Sequence, residues 1–137
     1  MSQDRASGAA ANTWGRETAR ALALRLGGTQ LSQRSNECTL DGRRVVIHCA
    51  RPGTDSVGVT FVMLDRLDDV IGAFQRDDGA FDLWSITPVA YRDHMRDTRS
   101  RGASAGKVGI VRRDVFQTKG KSMGSVRLSA RPTRRCR

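Results

Sequence analysis

Apolar residues recur along this chain in two rhythms. Trp14, Ala19, Leu22, Ala23 and Leu26 stand mostly three to four positions apart, which predicts an amphipathic helix capped by Asn12 or Thr13 and stopped by Gly27 and Gly28. The run Val45-Val46-Ile47-His48-Cys49-Ala50 is nearly all apolar and starts β-branched, as in a central strand. Asp41-Gly42 before it predicts the tight turn of a hairpin with residues 37–40. Residues 51–56 (RPGTDS) read as a loop and 57–63 (VGVTFVM) as a third strand. In 64–75, Leu64, Leu67, Val70, Ile71 and Phe74 fall at helical spacing with Asp65, Asp68 and Asp69 among them, predicting a second helix closed by Asp77-Asp78-Gly79. Alternation in 81–86 (FDLWSI) predicts a fourth strand, with Trp84 and either Phe81 or Leu83 in the core, and Pro88 opens a short helix. The expected class is α/β or α+β, a mixed central sheet flanked by helices in the order α-β-β-β-α-β, followed by a basic, β-rich C-terminal segment.

Composition bounds the molecule without naming its task. The 137 residues are 38% hydrophobic and 28% charged, which suits one globular domain. No stretch has the apolar length of a membrane span, and the start MSQDRASGAAANTW lacks a signal-peptide core, so a cytoplasmic chain is expected. Residues 1–11 are small and polar and are expected to be disordered. Residues 12–130 then form a single domain, and 131–137 (RPTRRCR) a basic tail. Cys38, Cys49 and Cys136 have no CxxC spacing, so free thiols in a reducing setting are expected, although Cys38 and Cys49 stand close enough in sequence to face each other across the hairpin.

Charge changes this picture. The chain carries 24 Lys and Arg against 14 Asp and Glu, a net +10. Residues 1–50 are net +3, residues 51–90 net −4 and residues 91–137 net +11. A concentrated positive field attracts polyanions, and nucleic acid is the first to consider. The loop 96–109 (RDTRSRGASAGKVG) combines glycines, hydroxyls and cations suited to a phosphate backbone. It is no phosphate-binding loop of a nucleoside triphosphatase, because Val108, not Ser or Thr, follows Lys107. Candidate contacts are Arg96, Arg99, Ser100, Arg101, Ser104, Lys107, Arg112, Arg113, Lys119 and Lys121, on the loop and on short strands beyond it. The acidic stretch 65–82 allows a homodimer in which it meets the basic end of a second copy.

One constellation suggests more than binding. Glu37 on the first hairpin strand and His48 in the second would lie on neighbouring strands behind a helix. This resembles the hairpin of PD-(D/E)XK nucleases, over roughly residues 13–87, with Glu37 at the first acid and His48 at the lysine. The resemblance implies magnesium-dependent hydrolysis of DNA phosphodiesters, with paired carboxylates holding the cation and a third group orienting water. Val46 stands where the family has its second acid. Some members draw that acid from the following helix, which makes Asp68 the candidate, with Asp65, Asp69 and Glu17 as alternates. The catalytic set would be Glu37, His48 and Asp68, and the metal ligands Glu37 and Asp68. With that acid missing, the first expectation is a DNA-binding module without catalysis, on double-stranded DNA, and the nuclease is the alternative. No other metal is expected, because the two histidines and three cysteines lack ligand spacing. His94, on a short polar helix, is expected to be solvated.

Overall fold

A computed structural model of the chain describes residues 5–31, 35–97 and 107–128. Its element order is α1 (Arg5–Arg25), β1 (Thr29–Gln30), β2 (Glu37–Leu40), β3 (Arg43–Ala50), β4 (Ser56–Thr60), α2 (Phe61–Leu64), β5 (Asp69–Gln75), β6 (Phe81–Ile86), α3 (Pro88–His94), β7 (Arg96–Asp97), β8 (Val108–Arg112), α4 (Arg113–Lys119) and β9 (Lys121–Val126). The fold is a mixed α+β arrangement, as the patterning predicts. Six strands form a central sheet in the order β1-β2-β3-β5-β6-β9, and β4, β8 and β7 form a second, smaller sheet. Within the large sheet only β3 and β5 run parallel. No helix among the described residues is long and apolar enough to cross a membrane.

The hairpin turns where its sequence dictates. Asp41 and Gly42 both adopt positive φ, 55° and 77°, the conformation that matches a two-residue connection to the twist of its strands. Helix α1 buries the predicted face, with Ala19, Leu22 and Ala23 against Cys38, Val45, Ile47, Ile71 and Phe81. It stops at Gly27, whose φ of 85° is left-handed. Its start differs from expectation. The backbone is helical from Arg5, Ala6 and Ala9 to Ala11 being strong helix formers, so the helix begins ahead of the expected caps Asn12 and Thr13.

The second helix is the larger correction. Residues 64–75 do not form one helix: α2 is a single turn ending at Leu64, and Asp69–Gln75 is a strand between β3 and β6. Five consecutive residues, Val70 to Phe74, are buried, and a short run buried on both faces satisfies helical spacing by default. Gly72 lets the rings of the core close over this strand. A Cβ there would lie 2.8 Å from the Phe74 ring and 3.0 Å from Phe116, so the missing side chain admits both rings. The strand predicted over 81–86 is present as β6, but the α-β-β-β-α-β order is not kept: β1 precedes the hairpin, the third predicted strand ends at Thr60 and gives way to the single turn α2, and β5 stands where helical spacing predicts most of the second helix.

The region from 108 to 128 is β8, α4 and β9, not strands alone. Phe116 of α4 is fully buried and meets Phe74 and Tyr91 edge to face, at centroid distances of 5.5 and 6.4 Å. The small sheet, α3 and α4 thus cover one face of the large sheet while α1 covers the other. Tyr91 ties the small sheet together: its hydroxyl lies 2.7 Å from the Gly109 carbonyl on β8 and 3.2 Å from that of Val57 on β4.

Candidate nucleic-acid interface

Glu37 pairs with Val46 across the hairpin, so its side chain shares a face with Arg44, Val46, His48 and Ala50. The carboxylate is buried, and both oxygens are taken by arginine. Arg66, just past α2, donates Nε to Oε1 at 3.0 Å and Nη2 to Oε2 at 2.6 Å. Arg44 adds Nε to Oε1 at 2.9 Å. These bonds, that of Arg66 foremost, hold the Glu37 pKa below its ordinary value against the opposing effect of burial.

The other acids raised by the nuclease resemblance are also engaged. Asp68 accepts from the main-chain amide of Arg44 at 2.8 Å, Asp69 from Arg43 Nε at 2.8 Å, and Asp65 pairs with Arg92. Glu17 lies exposed on α1. Among the described residues no three His, Cys, Asp or Glu side chains cluster as metal ligands. A carboxylate whose oxygens both accept from guanidinium groups does not fit a divalent cation, so Glu37 and Asp68 do not make the magnesium site that the resemblance implies.

His48 has a different setting. It lines an open cleft of about 480 Å³ at the end of β3, with Cys49 and Ala50. Trp14 and Arg16 of α1 form one wall, and Gly58 and Thr60 of β4 with Val108 of β8 form the other. Asn36, before β2, also lines it. His48 makes no hydrogen bond among the described residues, and burial lowers its pKa to about 4, so the imidazole is neutral at pH 7. Burial pushes the Cys49 thiol up to about 12, which leaves it unreactive at neutral pH. Cys38 pairs with Val45, not with Cys49, and both thiols are free.

Two guanidinium groups stand at this cleft, neither with a carboxylate partner among the described residues. Arg16 is exposed on α1, and Arg51 stands over Trp14 with its guanidinium carbon 4.1 Å from the ring centroid. None of the described lining residues is acidic. Sequence reasoning missed both arginines, since nothing local marks one helix position and one post-strand position as neighbours in space.

The small sheet extends this surface. Val57, Val59 and Val111 point to the core, so Gly58, Thr60, Val108, Ile110 and Arg112 share the outward face. Arg96 pairs with Ile110 and joins that face. Lys107 is exposed immediately before Val108, and its carbonyl accepts from the Phe61 amide at 2.9 Å. Lys107 therefore adjoins the cleft at Val108, while Arg96 and Arg112 stand farther along the same face, at Ile110 and Ser56. Arg112 pairs with Asp114, Nε to Oδ1 at 3.6 Å, and both side chains are exposed. Arg113 bends over the Phe74 ring at 5.8 Å. Lys119 ends α4 and Lys121 begins β9, three strands across the sheet from β3, so these two are not brought to the cleft. Arg99, Ser100, Arg101 and Ser104 lie outside the described residues.

The acidic middle of the chain is spent internally. Asp78 pairs with Arg76 and Arg127, and Asp82 with Arg76. With Asp65 and Asp69 also paired, arginines are neutralised around β5 and β6, whereas Arg16, Arg51 and Arg96 have no carboxylate partner among the described residues. His94 is exposed with Nδ1 3.0 Å from the Ala90 carbonyl, and Trp84 packs against the core, as the sequence predicts for both. Compared with known proteins, the chain matches no family model, and no curated protein is similar to it in sequence.

Proposed function

We propose that this chain binds duplex DNA through phosphate contacts, with Arg16 and Arg51 at the cleft and Arg96, Lys107 and Arg112 on the adjoining sheet face. The observation that carries this reading is that Arg16, Arg51, Arg96 and Lys107 stand at the cleft and on the adjoining sheet face with no carboxylate partner among the described residues, whereas Arg43, Arg44, Arg66, Arg76 and Arg92 are paired within the fold. Unpaired guanidinium groups keep their donors for a bidentate phosphate contact. Cleavage is not part of this reading, since Glu37 serves the fold through Arg44 and Arg66.

Fluorescence anisotropy of a labelled duplex tests it. Five phosphate contacts predict a log–log salt slope of about −4.5, at roughly −0.9 per phosphate. The combined Arg96→Ala, Lys107→Ala and Arg112→Ala variant should flatten the slope by about 2.7 at the same per-phosphate value. Absence of binding at low salt, or a slope unmoved by the triple variant, overturns the proposal.

A further inference from the structure

The cleft beside this cationic face is larger than phosphate contacts require. Its volume, about 480 Å³, lies in the range of roughly 300–1,000 Å³ of sites that enclose a small molecule. It is also graded in character. Of its lining residues Arg16 and Arg51 are exposed, whereas the uncharged polar Asn36 and His48 and the apolar Met63 are half-buried and Ala50 is buried. Contact with the Trp14 ring holds the Arg51 guanidinium at the cleft, so fixing it on a ligand costs less side-chain freedom. The neutral imidazole offers one N–H donor and one acceptor nitrogen, and an amide offers the same pair, the complement of a nucleobase edge. A base inside a duplex is held by pairing and by stacking on both faces, whereas a base at a strand end is stacked on one face only and leaves its pair at lower cost to enter a cleft.

We infer that the cleft takes one phosphate-bearing nucleotide at the end of a DNA strand, its terminal phosphate held by Arg16 and Arg51 and its base set against Asn36 and His48. The inference rests on the proposed duplex binding and deepens it from general backbone attraction to recognition of ends. A terminal phosphate carries more charge than an internal phosphodiester, so two guanidinium groups discriminate between them.

Competition anisotropy with the full-length chain tests this. The competitors are duplexes with a 5′-phosphate, a 3′-phosphate or hydroxyl ends, and closed circular DNA of equal base content. One phosphorylated end should compete about ten-fold better than the hydroxyl-ended duplex, and which one identifies the source of the phosphate. Arg51→Ala should bring that ratio to within two-fold. In the unmodified protein, a deoxynucleoside monophosphate should shift the imidazole proton resonance of His48, a readout independent of any variant's folding. Equal competition by all four DNAs, with no shift at His48, overturns the inference and leaves duplex binding standing. Failure of every DNA to bind at low salt overturns both.

Discussion

Arg66 grips Glu37 with a two-point fork, Nε to one carboxylate oxygen and Nη2 to the other, at 3.0 and 2.6 Å. The carboxylate is 3% exposed, whereas the side chains of Arg66 and Arg44 are each 42% exposed. The acid is thus the buried partner, and the arginines close it off from water while fastening the β2–β3 hairpin to the segment after α2. Removing the acid releases two cations that can turn to solvent. Glu37→Ala should therefore destabilise the fold by about 2–3 kcal/mol, below the range for breaking a fully buried pair. Chemical denaturation measures it.

The same clamp sets an acid limit. In the unfolded chain Glu37 takes up its proton around the ordinary 4.5, while the clamped carboxylate stays charged to lower pH. Its contribution to stability is fully present above 4.5 and is lost as pH falls through the depressed native value. Glu37→Gln should lack this part of the acid dependence in denaturation midpoints collected from pH 5 downward.

His48 acts in a separate window. Unfolded, it gains a proton near 6.5, but in the native chain only near 4. The unfolded state thus binds more protons between these values, and stability declines as pH falls from 6.5 toward 4 and levels off below. His48→Gln should remove that decline while leaving the lower window of Glu37 in place, which separates the two groups in one titration series.

Tyr91 should behave as a fastener of the small sheet. Its hydroxyl is buried between the carbonyls of Gly109 and Val57, so Tyr91→Phe removes a hydrogen bond with little change of volume. A loss of about 1 kcal/mol is expected. Hydrogen exchange should rise in β4 and β8 before the central sheet responds.

Gly72 is a packing position. Adding a methyl group there presses on the rings of Phe74 and Phe116, and overpacking of this kind costs about 1–3 kcal/mol. Gly72→Ala should lower the melting temperature. Pairing it with Phe116→Leu should cost less than the two changes summed, because the shorter side chain yields space to the new methyl group.

The sequence was legible where local chemistry decides structure. Asp41-Gly42 announces its turn, Leu22 and its neighbours announce the inner face of α1, and Pro88 opens α3 where it stands. It misled where burial on both faces erased periodicity, in Val70 to Phe74, and where alanines carried a helix beyond its apolar face, in residues 5–11. The candidate site was legible in part. His48 stood out as a polar residue within an apolar strand, and the cations of residues 96–112 as a cluster. That Arg16 and Arg51 join them depends on α1 and the end of β3 meeting at the cleft, a long-range fact with no local signature. Glu37 stood out for the right reason, as an acid in a strand, but its partner Arg66 lies 29 residues away and turns a candidate metal ligand into a structural anchor.

The interleaving of the two sheets bears on how the chain reaches this fold. Thr60 pairs with Val108, and Phe81 with Val126, so β4 has no paired strand, and β6 has one only on its β5 side, until the final third of the chain has left the ribosome. An N-terminal fragment therefore exposes two open strand edges, the condition that invites aggregation of nascent chains. The basic third is a partner in closing the core and cannot be pruned as an appendage. Any trial of its charge has to be made by substitution within the intact chain.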